Sequence, residues 1–134
     1  MIYNAEEFIQ LRRSENPSDY VRAAHENAPL NVWQEIIAHH PDMRSWVAHN
    51  KRVPVEILTV LAYDPNPEVR HSVAMKNKLP LALMLLLADD EDETVRRRIV
   101  HNRNTPTEVL RKLTADRILE IAEVAQRRLS NLDI

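Results

Sequence analysis

Apolar and polar positions repeat along the chain with a period of 26 residues. Three segments align without a gap from proline to proline, at residues 53–77, 79–102 and 105–129. One apolar column consists of Leu61, Leu87 and Leu113, and a second of Val69, Val95 and Ile121. Self-similarity at a fixed period is typical of proteins in which each unit buries its apolar face against its neighbours. The pattern therefore predicts a repeat array.

Each aligned segment contains two patterns with helical spacing. The first pattern starts at a proline and places apolar residues on one helical face: Ile57, Leu58 and Leu61, then Leu83, Met84 and Leu87, then Val109, Leu110 and Leu113. Proline at the first helical position loses no needed hydrogen bond, and Thr105-Pro106-Thr107-Glu108 resembles a capping box. We expect this helix to be the longer of the two.

The second pattern starts near an acidic turn and is expected to form the other helix. Its predicted buried residues are Val69, Val73 and Ala74 in one segment and Val95, Ile99 and Val100 in the next. A shorter version of the unit precedes the three segments from Pro29, and residues 16–27 form a half repeat. These patterns predict a single domain over residues 1–134, with a capping helix in 1–15 and about four short two-helix repeats in 16–129.

Two polar columns accompany the repeat. Asparagine recurs at the expected end of the second helix, as Asn27, Asn50, Asn77 and Asn102. Because the chain has no glycine and asparagine tolerates left-handed backbone, we expect left-handed C-caps here. Arginine recurs as Arg22, Arg44, Arg70 and Arg96. A column of this kind is consistent with nucleic-acid binding, but each Arg follows an acidic turn and can bridge to the neighbouring unit, so the column is interpreted as a structural ladder.

The combination of Val-Arg, a following Asn, then Pro, L-x-x-L-A and an acidic turn resembles the leucine-rich repeat variant, a member of the HEAT-like helical repeats. Residues 69–116 carry the resemblance best. It implies an all-α, right-handed superhelical solenoid of α/α or α/3₁₀ units, with the helix after the proline long and the other short. Proteins with this repeat can carry a cysteine-rich cluster domain, but this chain has no cysteine, so no redox role is inferred.

Composition removes several classes of function. Without glycine, a Walker loop, a dinucleotide-binding turn or a nucleophile elbow cannot be built. Without cysteine, thiolate catalysis and Cys-containing metal sites are excluded. A net charge of −2 gives no general reason to expect nucleic acid. The apolar run 81–88 is far shorter than the roughly 20 residues of a membrane span. These features predict a cytoplasmic protein that is not an enzyme and has no cofactor or metal.

Candidate binding residues are those that depart from the repeat. The acidic run Asp89, Asp90, Glu91, Asp92 and Glu93 exceeds what one helix cap needs, so it is either a solvated turn or a docking surface for a basic partner. Leu85 and Leu86 are apolar where the other units are mainly polar, and are either extra core or interface. Trp46 aligns with Ser72 and Arg98, which predicts an exposed anchor.

We expect the chain to bind another protein, without catalysis and as a monomer when free. The narrower expectation, by analogy with small acidic proteins of the bacterial cytosol, is an immunity or antitoxin protein that neutralises a basic toxin or nuclease domain. The alternatives are a HEAT-like DNA-binding or DNA glycosylase protein and a scaffold for an enzyme complex. Basic residues in the C-terminal units favour the DNA alternative, whereas nearby acids and scarce aromatics oppose it.

Overall fold

A computed structural model describes residues 1–132. Within that range the chain is all-helical, with no β-strand, ten α-helices and one 3₁₀ turn at Pro41–Met43. The all-α prediction is therefore confirmed. The helices are α1 (Ala5–Arg13), α2 (Pro17–His25), α3 (Leu30–His39), α4 (Arg44–His49), α5 (Val55–Leu61), α6 (Pro67–Ala74), α7 (Leu81–Ala88), α8 (Glu93–His101), α9 (Thr107–Leu113) and α10 (Leu119–Leu132).

The helices form two compact units. The first unit comprises Met1–Val73, and the second begins at Ala74. Helices α1 to α5 and nearly all of α6 belong to the first unit, and α7 to α10 to the second.

The core of the first unit forms where α1, α3 and the following helices bury their apolar faces. Phe8 and Trp33 are fully buried and meet edge to face, with ring centroids 5.5 Å apart. Burial of such large rings is a major contribution to a small core. Leu61, Val69 and Val73 are also buried, as the repeat pattern predicts. Trp33 is therefore a core residue of this unit.

The core of the second unit follows the repeat columns. Leu87 and Leu113 are 0% and 1% exposed, and their neighbours on the same helical faces are buried as well: Leu83, Met84, Val109 and Leu110. Helix α8 contributes Val95, Ile99 and Val100, each of them fully buried. The predicted core register is confirmed in this unit. Packing of this kind makes each column sensitive to loss of volume.

Three details of the helix boundaries differ from the prediction. Pro54, Pro80 and Pro106 are N-cap residues, and their helices begin one residue later. The capping box is absent, because Thr105 lies before the N-cap and its hydroxyl donates to the carbonyl oxygen of Ile99, 2.7 Å away. In the three aligned segments the helix after the proline is also the shorter one, since α5, α7 and α9 have 7, 8 and 7 residues against 8, 9 and 14 in α6, α8 and α10. In the pair after Pro29 the first helix is the longer, as predicted, with 10 residues in α3 and 6 in α4.

The asparagine column has a different role from the one predicted. Asn50 and Asn102 do follow the last residues of α4 and α8, but both have extended backbone, with φ of −61° and −67°. No residue in the described part of the chain has positive φ, so the left-handed C-cap prediction is wrong. These two side chains are instead buried donors: Asn50 Nδ2 lies 2.7 Å from the Ala23 oxygen, and Asn102 Nδ2 lies 2.7 Å from the Lys76 oxygen.

The arginine ladder is found in both units. Arg44 Nη1 lies 3.1 Å from a carboxylate oxygen of Asp64, and Arg96 Nε lies 2.8 Å from one of Asp116. In each case the acid is 20 residues further along the chain, in the turn of the following helix pair. Arg22 instead pairs with Glu7 and Glu26 at the surface, so the ladder begins after the half repeat.

Candidate functional site

The acidic run forms the turn between α7 and α8, and two of its five acids shape that turn. The carboxylate of Asp90 accepts a hydrogen bond from the Asp92 N–H at 2.9 Å. Asp92 is the N-cap of α8, and its carboxylate accepts from the Thr94 N–H at 2.8 Å and from the Thr94 hydroxyl. A carboxylate at the N-cap accepts a hydrogen bond from a backbone N–H that has no partner within the helix. Its negative charge is also attracted to the positive end of the helix dipole. Asp90 and Asp92 therefore have structural roles.

The equivalent turns of the chain use the same device. Asp64 accepts from the Asn66 N–H at 2.9 Å, and Asn66 accepts from the Glu68 N–H at 2.9 Å. In the second unit Asp116 accepts from the Ile118 N–H at 2.8 Å. An acid at the first of these positions thus belongs to the repeat. What sets the run apart is the remaining three acids: Asp89, Glu91 and Glu93.

Those three acids are exposed to solvent. Their counterparts are Tyr63, Pro65 and Pro67 in the preceding turn and Ala115, Arg117 and Leu119 in the following one, none of which is an acid. Compared with the neighbouring turns, the run therefore carries three additional carboxylates. An exposed group of like charges raises the local concentration of oppositely charged ligands.

Basic residues lie on the other side of this acidic turn. Lys112 Nζ lies 2.8 Å from a carboxylate oxygen of Asp89, and both side chains are largely exposed. A groove of about 640 Å³ is lined by the acids Asp89, Asp90 and Glu91 together with Lys112, Ala115 and Arg117. The site is therefore acidic with a basic border, and part of the Asp89 charge is neutralised within the protein.

Beneath this turn, Arg96 and Asp116 form a buried ion pair. Their side chains are 6% and 4% exposed. Arg96 also donates to the carbonyl oxygens of Asp90, at 2.7 Å, and Glu91, at 3.3 Å. Burial alone would raise the pKa of Asp116, but the hydrogen bonds from Arg96 and from the Ile118 N–H outweigh it, so the pKa of this carboxyl is lowered. The pair fixes the backbone that presents the exposed acids.

Leu85 and Leu86 are half-buried on α7. Neither belongs to the fully buried core, and neither is as exposed as Leu81, which is 43% exposed on the same helix. The sequence analysis did not identify Leu81 as a candidate residue. The repeat does mark its position, which is the one directly after the proline. The equivalent residue after the proline is Val55, 48% exposed, and then Thr107, also exposed.

Trp46 lies in the first unit, whereas the other seven predicted site residues lie in the second. It is 41% exposed, as its alignment with polar residues predicts. Its indole ring lies under the guanidinium of Arg12, with Cζ 3.5 Å from the ring centroid. The ring centroid of Tyr20 lies 5.2 Å from the same Cζ atom. The sequence analysis missed Arg12 and Tyr20, because both precede the clearly periodic part of the chain.

Neither a metal site nor a membrane span is found. In the part of the chain that the structure describes, no group of three or more His, Asp or Glu side chains is placed to hold a metal ion. No helix within residues 1–132 is long and apolar enough to cross a bilayer. Comparison of the chain with protein-family models, curated proteins and solved structures gives no significant match. The function is therefore inferred from the residues themselves.

Proposed function

We propose that this protein is a non-catalytic helical-repeat module that binds another protein, and that the exposed acids Asp89, Glu91 and Glu93 attract a basic partner. In this proposal the helix pairs stack as about four repeats of a right-handed solenoid of the leucine-rich repeat variant kind. The most specific form is a cytoplasmic immunity or antitoxin protein of bacteria that neutralises a basic, nuclease-type toxin.

One observation carries the proposal. The turn before α8 has three exposed acids that its equivalents at residues 63–67 and 115–119 lack, while the acids that shape the turn are the separate pair Asp90 and Asp92. Exposed charges of one sign that are collected in one place, beyond those found in the equivalent turns, are typical of a surface that steers an oppositely charged partner. Half-buried Leu85 and Leu86 and exposed Leu81 supply apolar area on the preceding helix.

The test distinguishes residues that set the association rate from residues that set the dissociation rate. Neutralising only the three exposed acids, as Asp89→Asn, Glu91→Gln and Glu93→Gln, keeps Asp90 and Asp92 in the turn. Rim charges act mainly on association, so this triple variant should associate about tenfold more slowly with the partner and show a weaker dependence on salt. Leu86→Ala should instead raise the dissociation rate, by about thirtyfold or more if Leu86 is a hot spot.

A matched control removes three charges elsewhere in the same unit. Glu108, Glu120 and Glu123 are exposed, and changing all three to Gln alters the net charge equally. This control should associate at nearly the rate of the unmodified protein. The partner is first captured from the source cell and identified. Association and dissociation rates with that partner are then measured by surface plasmon resonance at several salt concentrations. Equal rates for the two triple variants would contradict the proposal. A partner that proved to be DNA, bound more tightly after neutralisation of the acids, would contradict it as well.

A further inference from the structure

Three helices of the first unit meet around the Arg12 side chain. Arg12 lies in the last turn of α1, Tyr20 on α2 and Trp46 on α4. The guanidinium carbon is 3.5 Å from the Trp46 ring centroid and 5.2 Å from that of Tyr20. Contact of a guanidinium with aromatic rings is favourable, and more so when water is partly excluded. We call these three residues the aromatic–arginine cluster.

The charge of Arg12 is not balanced by a carboxylate. Among residues 1–132, no side-chain hydrogen bond or ion pair involves Arg12, and its Nε is buried without a partner. Burial lowers the pKa of the Arg12 guanidinium, and the opposing influence is that of Tyr20. The neighbouring Arg13 differs, since its guanidinium is 3.6 Å from the Asp42 carboxylate. A partly desolvated cation with unused donors is a costly arrangement unless an anion completes it.

The geometry limits what that anion can be. With aromatic rings against the guanidinium and Nε buried, the Nη donors are what remains for a ligand. Those donors form a planar fork that matches a carboxylate, with two parallel hydrogen bonds. Tyr20 and Trp46 remain 39% and 41% exposed as residues. They offer apolar contact around the charged centre.

The same features favour a protein partner over a nucleic acid. Tyr, Trp and Arg are the three residue types most enriched at the energetic centres of protein interfaces. Residues 1–73 carry more Asp and Glu than Lys and Arg, which disfavours a polyanion. We infer that the aromatic–arginine cluster is a second binding surface, which takes a protein segment presenting a carboxylate beside an apolar side chain. This inference is independent of the acidic turn, whose proposed partner is basic.

The experiment is a selection of displayed random linear peptides against the whole protein, followed by affinity measurements with synthetic copies of the enriched peptides. Enriched peptides should carry Asp, Glu or a free C-terminal carboxylate. Their affinity should fall about tenfold or more for Arg12→Met and for Trp46→Ala. Arg13→Met removes the same charge one residue away and is the matched control, for which affinity should change less than about threefold, as for an exposed rim charge.

A second variant distinguishes loss of peptide binding from loss of folding. Arg12→Lys keeps the charge over the rings but removes the planar fork, so it should stay folded by circular dichroism and still lose most of the affinity. No enriched peptides, peptides without a carboxylate, or equal affinity for Arg12→Met and the unmodified protein would each overturn the inference. So would a single-stranded oligothymidylate that bound the unmodified protein and not Arg12→Met.

Discussion

Replacing Asp116 by Asn would remove one charge from the buried pair with Arg96 while preserving the shape of the side chain. The pair is joined by a 2.8 Å contact, and its side chains are 6% and 4% exposed. Removing one partner of a buried ion pair costs about 3–5 kcal/mol, because the other charge is left without compensation. Arg96 would keep its hydrogen bonds to the backbone oxygens of Asp90 and Glu91. We therefore expect a loss near the lower value, about 3 kcal/mol.

The same unit supplies a matched control for this substitution. Asp89→Asn also removes one carboxylate from a 2.8 Å pair, with Lys112, but those side chains are 66% and 39% exposed. Exposed pairs contribute about 0–1 kcal/mol, because water screens the charges. Urea denaturation followed by circular dichroism gives both free energies of unfolding. If Asp116→Asn cost no more than Asp89→Asn, the structural role assigned to the Arg96–Asp116 pair would be wrong.

The pH dependence gives a second readout for Asp116. Its pKa is lowered in the folded protein, whereas an unfolded aspartate has a pKa of about 3.9. The unfolded chain therefore binds the proton more readily than the folded protein does. The stabilisation that ionised Asp116 contributes is complete above the unfolded pKa and is lost as the pH falls through the folded pKa. The difference in stability between the unmodified protein and Asp116→Asn should accordingly shrink below about pH 4. A difference that stayed constant down to pH 2 would contradict the assigned pKa direction.

Two further predictions concern the repeat columns. Leu87→Ala should lower the free energy of unfolding by about 2–5 kcal/mol, since Leu87 is fully buried; a loss below about 1 kcal/mol in urea denaturation would contradict the core register. Asn102→Ala should cost about 1–3 kcal/mol, because the Ala74 and Lys76 oxygens lose the Asn102 donor. The exposed Asn77→Ala is its control, with a change within about 0.5 kcal/mol, and equal melting temperatures of the two variants would refute the donor role.

Periodicity identified the core and failed at the helix ends, for a physical reason. Burial of Leu61, Leu87 and Leu113 follows from the spacing alone, because residues with one helical phase share one face. The expectation for Asn50 and Asn102 came from local backbone preference. That reasoning could not foresee that a side chain would bond to backbone of an earlier helix, because such contacts depend on tertiary packing rather than on neighbours in sequence.

Prediction of the candidate sites was limited in a similar way. Departure from the repeat drew attention to the run 89–93, but only the hydrogen bonds of Asp90 and Asp92 distinguish the acids that shape the turn from the exposed ones. Trp46 was expected to be exposed, and it is. Its contact with Arg12 joins α4 to α1, and α1 is outside the repeat. No periodic signal could have linked those two residues.

The side-chain donors at the helix ends also bear on how this chain acquires its structure. The last carbonyl groups of a helix lack partners within that helix. Here Asn50 supplies a donor to the oxygens of Ala23 and Glu26, and Arg128 supplies one to the oxygens of Val100 and Asn102. Each donor comes 24 to 28 residues after the oxygen that it satisfies. During synthesis, such a helix end therefore lacks its side-chain donor until 24 to 28 further residues have emerged.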